Sequence, residues 1–157
     1  MALEVKIPGY KPLLLSFLVL DYNGTIACDG RLLPGIRERL KELSKSLGIH
    51  ILTADTFGGV REEMLGVPCE ISVLGKEHQA QAKADYVRQL EASRVAAVGN
   101  GRNDASMLKA AALGIAVIQE EGSSVETLLS ADIVTRSTLD AMELLLHPLR
   151  LTATLRS

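Results

Sequence analysis

Tryptophan is absent from this 157-residue chain, and aromatic residues make up only 3% of it. Surfaces that stack on unpaired bases need aromatic faces, so nucleic acid is not expected as a partner. Lysine and arginine number 17 against 19 aspartates and glutamates, and they gather into no basic stripe suited to phosphate backbones or anionic lipid. The two cysteines, Cys28 and Cys69, lack metal-ligand spacing and are too few for a disulfide framework. A reducing, cytoplasmic setting follows, with each cysteine a small hydrophobe. No Pro/Gly/Ser-rich linker, repeat or low-complexity tract divides the sequence, so one domain over residues 1–157 is expected. The apolar run from Leu13 to Leu20 is far short of the ~20 residues a membrane helix requires. Lys11 precedes it as in a signal peptide, but Asp21 and Asn23 interrupt that pattern, and a buried strand explains the run without a membrane.

What the chain does contain is a rhythm. Apolar runs of strand length recur as LLLSFLVLD, IHILTA, EISVL, VAAVG, LGIAVI and ADIVT. Between them lie segments with helical spacing: PGIRERLKELSKSLG, FGGVREEMLG, KEHQAQAKADYVRQLEA, NDASMLKAAALG and SSVETLLS. Continuous apolar strands alternating with amphipathic helices are what a parallel sheet covered on both faces requires, so the expected class is α/β with a doubly wound topology. The segment LEVKIPGYKP is read as an added edge strand, IACDGRLLP as a hairpin, and the tail as a helix broken near Pro148.

In such sheets ligands bind beyond the carboxyl ends of the strands, and polar residues stand at those ends. Asp21 closes the first run and is followed by YNGT, where Gly24 permits a tight turn and backbone amides can face an anion. Thr53 closes the second run, before Ala54 and Asp55. The VAAV run leads into GNGRND, with Asn100, Asn103 and Asp104. A strand-end carboxylate suits nucleophilic attack on phosphorus, and a hard cation wants oxygen ligands of the kind this last loop supplies. Each residue also has an ordinary structural reading. Asp21 suits an Asx-turn, Thr53 a strand end, Asp55 or Asp104 a helix cap, and Lys83 a solvated helix face.

Taken in order and spacing, these pieces resemble the haloacid dehalogenase (HAD) superfamily of phosphohydrolases. Its signature is a strand-end Asp in DxDGT, a strand-end Thr or Ser, a Lys, and an acidic GDGxND loop. The resemblance runs from about Leu13 to Thr135. It is nearest to the phosphorylation domain of P-type ATPases, with LTADT like TGDN, KADYVRQL like K-x-x-x-V-x-x-L, and VGNGRNDASMLKAAALGIAVI like the GDGxND segment. The resemblance implies a HAD-like Rossmannoid fold without a cap domain. Asp21 would be the nucleophile that becomes an aspartyl phosphate, and Thr53 would bind the transferring phosphoryl group. Lys83, chosen over Lys76 for its place four residues before Val87, would steady the charge. Gly24, Thr25, Ala54, Asp55 and Asn103 would border the phosphorylated substrate. Mg²⁺ would be held by Asp21, the backbone carbonyl of Asn23, Asn100 and Asp104, the last directly or through water.

Two positions depart from the pattern. Asn23 replaces the second Asp of DxDGT and Asn100 the first Asp of GDGxND. An amide cannot cycle a proton, and loss of a general acid/base costs ~10²–10⁴ in rate, so slow turnover is expected. The alternative is a non-catalytic HAD-like module that binds phosphate, a nucleotide or a protein. The stretches between Asp21 and Thr53 and between Thr53 and Lys83 are too short for a cap. The resemblance implies either that a neighbour closes the site, as in cap-less relatives that oligomerise, or that the substrate is large; a homo-oligomer is the expected state.

Overall fold

The computed structural model describes residues 2–54 and 59–157. The chain opens with β1 (Leu3–Val5) and β2 (Leu13–Leu15), which pair antiparallel as a small ribbon. Then come β3 (Phe17–Asp21), a hairpin of β4 (Ala27–Cys28) and β5 (Arg31–Leu32), α1 (Ile36–Leu43), β6 (Gly48–Thr53) and α2 (Gly59–Glu63). The second half runs β7 (Glu70–Val73), α3 (Gln79–Gln89), β8 (Val95–Gly99), α4 (Ala105–Ala110), β9 (Leu113–Val117), α5 (Val125–Ser130), β10 (Ile133–Thr135), α6 (Thr138–Leu146) and α7 (Pro148–Leu155).

Six of these strands form one parallel sheet in the order β10-β9-β8-β3-β6-β7. Side chains alternate between its faces with period two. Leu18, Leu20, Ile49, Ile51, Ala96 and Val98 pack on one side with Ile36 and Leu40 of α1 and Met142 and Leu145 of α6. Val19, Leu52, Val95 and Ala97 pack on the other with Val87 of α3 and Met107 and Leu108 of α4. The expected α/β, doubly wound arrangement is therefore present. Strand order reverses at β3, which lies between β6 and β8, so the crevice at its carboxyl end is the topological switch point.

Two expectations about the N-terminal region are corrected. The run LLLSFLVLD is two strands, and LEVKIPGYKP pairs with the first of them rather than adding an edge to the main sheet. Leu13 and Leu15 are buried while Leu14 is 45% exposed, the one-sided pattern of a ribbon. Leu18, Val19 and Leu20 are all buried, as a strand covered on both faces demands. Ser16 is the joint: its N–H donates to Arg94 O and its carbonyl accepts from Gly48 N, each at 2.8 Å. The break before Pro148 is where the sequence places it, with proline opening α7 at its first turn.

The β4–β5 hairpin turns through Asp29 and Gly30, both at positive φ (51° and 83°), the conformation an Asp-Gly pair supplies to a two-residue hairpin. Among the described residues this hairpin is the only strand pairing between β3 and α1, and no helix is long and apolar enough to cross a membrane.

Candidate active site

The carboxyl ends of β3, β6 and β8 border a cavity of about 850 Å³. Asp21, Asn23, Thr53, Ala54, Lys83, Asn100 and Asn103 all line it, so side chains from four separate stretches of sequence meet there. Asp55 lies outside the described residues.

Asp21 ends β3 because the next carbonyl leaves the ladder: Tyr22 O accepts the N–H groups of Thr25, Ile26 and Ala27 at 3.2, 2.9 and 3.1 Å. Each of its carboxylate oxygens is engaged. Oδ1 accepts from Lys83 Nζ at 2.9 Å, and Oδ2 accepts from the Thr25 hydroxyl at 3.1 Å. The Gly24 and Thr25 amides do not face the cavity as expected, since they donate to Ala27 O and Tyr22 O. Gly24 (φ +83°) instead shapes the turn, and Thr25 acts through its hydroxyl.

Lys83 projects from α3 and is buried rather than solvated, at 3% exposure. Its ammonium also meets Asp104 Oδ1 at 2.7 Å and Asn103 Oδ1 at 3.3 Å. Burial acts to lower its pKa, but the charges of Asp21 and Asp104 and their hydrogen bonds outweigh that and hold it above the usual lysine range. Asn103 is oriented in turn, donating from Nδ2 to Gln79 Oε1 at 2.8 Å.

Asp104 is fully buried and does not line the cavity. Its Oδ1 holds Lys83, while its Oδ2 accepts from the amides of Asn100 and Gly101, both at 3.0 Å. Gly99 makes room for it, because a methyl group there would come within 2.5 Å of the carboxylate. Asp104 thus fixes both the lysine and the turn that carries Asn100.

Burial pushes the Asp21 carboxyl up to about 6, and the charge of Asp104 adds to the rise while Lys83 and Thr25 oppose it. Two carboxylates share one ammonium in this buried cluster, leaving excess negative charge that a cation would relieve. Among the described residues no three His, Cys, Asp or Glu side chains gather into a metal cluster. Among the described lining residues, the side-chain groups able to bind a cation are oxygens. Asp21 Oδ2 and Asn100 Oδ1 both flank the Thr25 hydroxyl, at 3.1 and 3.5 Å. One carboxylate, neutral oxygens and open space suit a hard, partly hydrated divalent cation.

Asn23 is committed elsewhere. Its side-chain oxygen accepts from Gly30 N at 3.1 Å, and Tyr22 Oη donates to Gly30 O at 2.8 Å, so both peptide groups of the hairpin tip are tied to the nucleophile loop. Sequence reasoning missed Tyr22 in this role, along with Gln119 and Thr138. Gln119 donates to the Gly24 and Thr25 carbonyls at 2.9 and 2.6 Å, and the Thr138 hydroxyl to Thr25 O at 2.6 Å. These anchors come from more than 90 residues away, and no local pattern marks them.

A family model described as haloacid dehalogenase-like hydrolase matches residues 76–141, the stretch that holds Lys83, Asn100 and Asp104. An uncharacterized protein of Methanocaldococcus jannaschii is 51% identical over 63 residues, which span 40% of this chain and 68% of that protein. Among solved structures, the 3-deoxy-D-manno-octulosonate 8-phosphate phosphatase of Moraxella catarrhalis, in complex with magnesium ion, phosphate ion and KDO, superposes with a TM-score of 0.70. It is 17% identical and the match covers 88% of this chain and 90% of that one. The cobalt-bound deoxy-D-mannose-octulosonate 8-phosphate phosphatase of Haemophilus influenzae gives 0.71 at 14% identity, over 91% and 94% of the two chains. At these identities the two structures share the fold.

Proposed function

We propose, from the match of residues 76–141 to the haloacid dehalogenase-like hydrolase model and the geometry of the site, that this chain is a Mg²⁺-dependent phosphohydrolase of low turnover that works through an aspartyl phosphate on Asp21. The observation that carries this reading is the Lys83–Asp21 pair at 2.9 Å, at the switch point of the sheet and open to the cavity. A carboxylate with a fixed cation beside it is ready both to attack phosphorus and to have the resulting charge neutralised.

In the first half-reaction an Asp21 carboxylate oxygen attacks the phosphorus of a phosphomonoester in line, and the ester oxygen departs. Thr53 and Ala54, at the end of β6, hold the phosphoryl oxygens. Lys83, steadied by Asp104 and Asn103, bears part of the transition-state charge. A bound Mg²⁺ would be held by Asp21, the Asn23 carbonyl and Asn100, and it supplies further neutralisation of the phosphoryl oxygens. In the second half-reaction water attacks the aspartyl phosphate. Asn23 has no proton to exchange and its oxygen is turned to Gly30, which supports a slow second step.

The test is incubation with Mg²⁺ and an aryl phosphate, and trapping with beryllium fluoride, for the native protein and Asp21→Asn. Turnover and trapping that vanish in Asp21→Asn are expected. Activity that ignores the substitution would sink the enzyme reading, and inertness of the native protein to substrate, metal and trap would favour a binding module.

A further inference from the structure

One acidic side chain at the cavity has no part in the scheme above. Glu121 lines the mouth, at the tip of a tight turn closed by Gly122 N–H donating to Gln119 O at 2.8 Å, with Gly122 at φ +69°. This turn is tied on both sides to the reacting loops. Gln119 binds the Gly24 and Thr25 carbonyls. Asn100 Nδ2 donates to Gly122 O at 3.1 Å, and the Ser123 hydroxyl and Ser124 N–H donate to Asn100 O at 3.1 and 2.9 Å. A methyl group placed on Gly24 would meet the Glu121 carboxylate at 2.9 Å. The carboxylate therefore rests against the residue that follows Asn23, beside the position where the motif has lost its acid.

Two other proton-bearing groups that line the cavity are already occupied. The Tyr22 hydroxyl is given to Gly30 O, and the Lys83 ammonium is locked between two carboxylates. Among the described lining residues, Asp21 and Glu121 are the acidic ones, and Asp21 is consumed as nucleophile. We propose that Glu121 is the general base of the second half-reaction, standing in for the carboxylate missing at Asn23. A Glu121 carboxylate oxygen takes a proton from water as the water oxygen bonds to phosphorus. The P–O bond to Asp21 breaks, its electron pair returns to the Asp21 carboxylate, and inorganic phosphate leaves. The Glu121 proton then passes to solvent. The idea rests on the phosphohydrolase reading.

The experiment follows the two half-reactions separately, with p-nitrophenyl phosphate and Mg²⁺. Steady-state turnover is measured alongside the phosphorylated fraction of acid-quenched protein by intact mass spectrometry. Glu121→Gln should lower turnover about 100-fold, the lower end for a lost general base, while the phosphorylated fraction rises. Added formate should restore part of the rate in Glu121→Ala, and in an Asn23→Asp background the loss at Glu121→Gln should shrink to a few-fold. Native turnover in Glu121→Gln, with Asp21 still phosphorylated, would overturn the role of Glu121 and leave the phosphohydrolase reading standing. An unchanged maximal rate with a weaker Mg²⁺ requirement curve would overturn it too, by making Glu121 a metal ligand. No phosphorylation of Asp21 in the native protein would remove both.

Discussion

The Asp104 carboxylate, at 0% exposure, holds the Lys83 ammonium at 2.7 Å, beneath the cavity rather than in it. Removing Lys83 strands Asp104 without solvent, and breaking such a buried pair costs about 3–5 kcal/mol; removing Asp104 leaves Lys83 its pair with Asp21 at 2.9 Å. Lys83→Met should lower unfolding stability by that order, and Asp104→Asn by less. The double variant should lose clearly less than the sum, since the fully buried Asp104 charge is then no longer left without its cation. Urea denaturation of the four proteins measures the coupling, and strict additivity would mean that the pair carries no stability.

Asp21 makes the stability of the metal-free protein depend on pH in an unusual sense. Its pKa is raised from 3.8 to about 6, chiefly by burial and then by Asp104. The folded state therefore binds the proton more tightly than the unfolded chain does. The associated stability is fully present below pH 3.8, declines as pH rises, and is gone above about 6. A rise of this size corresponds to a loss on the order of 3 kcal/mol. In EDTA, Asp21→Asn should match the native protein at pH 4 and exceed it at pH 7.5. Denaturation at the two pH values checks this, and a constant difference would place Asp21 in an ordinary environment.

Much of this site was readable because parallel sheets deliver their chemistry at strand ends. The apolar runs located Asp21, Thr53 and Asn100, and the resemblance of KADYVRQL to the family helix singled out Lys83, all of which line one cavity. Depth was not readable. Asp104 and Asn103 are neighbours in sequence with similar polarity, yet one is buried under the lysine and the other faces the cavity. Their separation depends on the 3₁₀ turn at Arg102–Asp104 that opens α4, a detail of backbone pitch rather than of pattern. The break at Ser16 was hidden for a related reason. An unbroken apolar run does not show whether one face or two are covered.

Asn100 offers a direct test of cation binding. Its Nδ2 donates to Gly122 O at 3.1 Å and the side chain is 6% exposed. Asn100→Asp would set a carboxylate oxygen against that carbonyl, and without a cation this should cost about 1–3 kcal/mol. A second carboxylate also raises affinity for Mg²⁺. The variant should therefore melt below the native protein in EDTA and gain more on adding Mg²⁺, by the linkage of binding to stability. Equal gains in both proteins, read by thermal unfolding, would exclude Asn100 from the cation site.

Asn23 joins two roles that substitution can separate. Its side-chain oxygen holds the hairpin tip through Gly30 N, and its amide leaves the reaction without a proton carrier at that position. Asn23→Asp keeps an acceptor for Gly30 N and adds the carrier, so turnover of an aryl phosphate should rise at least tenfold with little change in stability. Asn23→Ala removes the tie and adds nothing. It should lower stability by about 1 kcal/mol, the net worth of one hydrogen bond, and quicken amide exchange at Gly30 without raising turnover. A gain in turnover from Asn23→Ala would show that release of the hairpin, not proton transfer, limits the reaction. A gain confined to Asn23→Asp assigns the slow step to the missing acid.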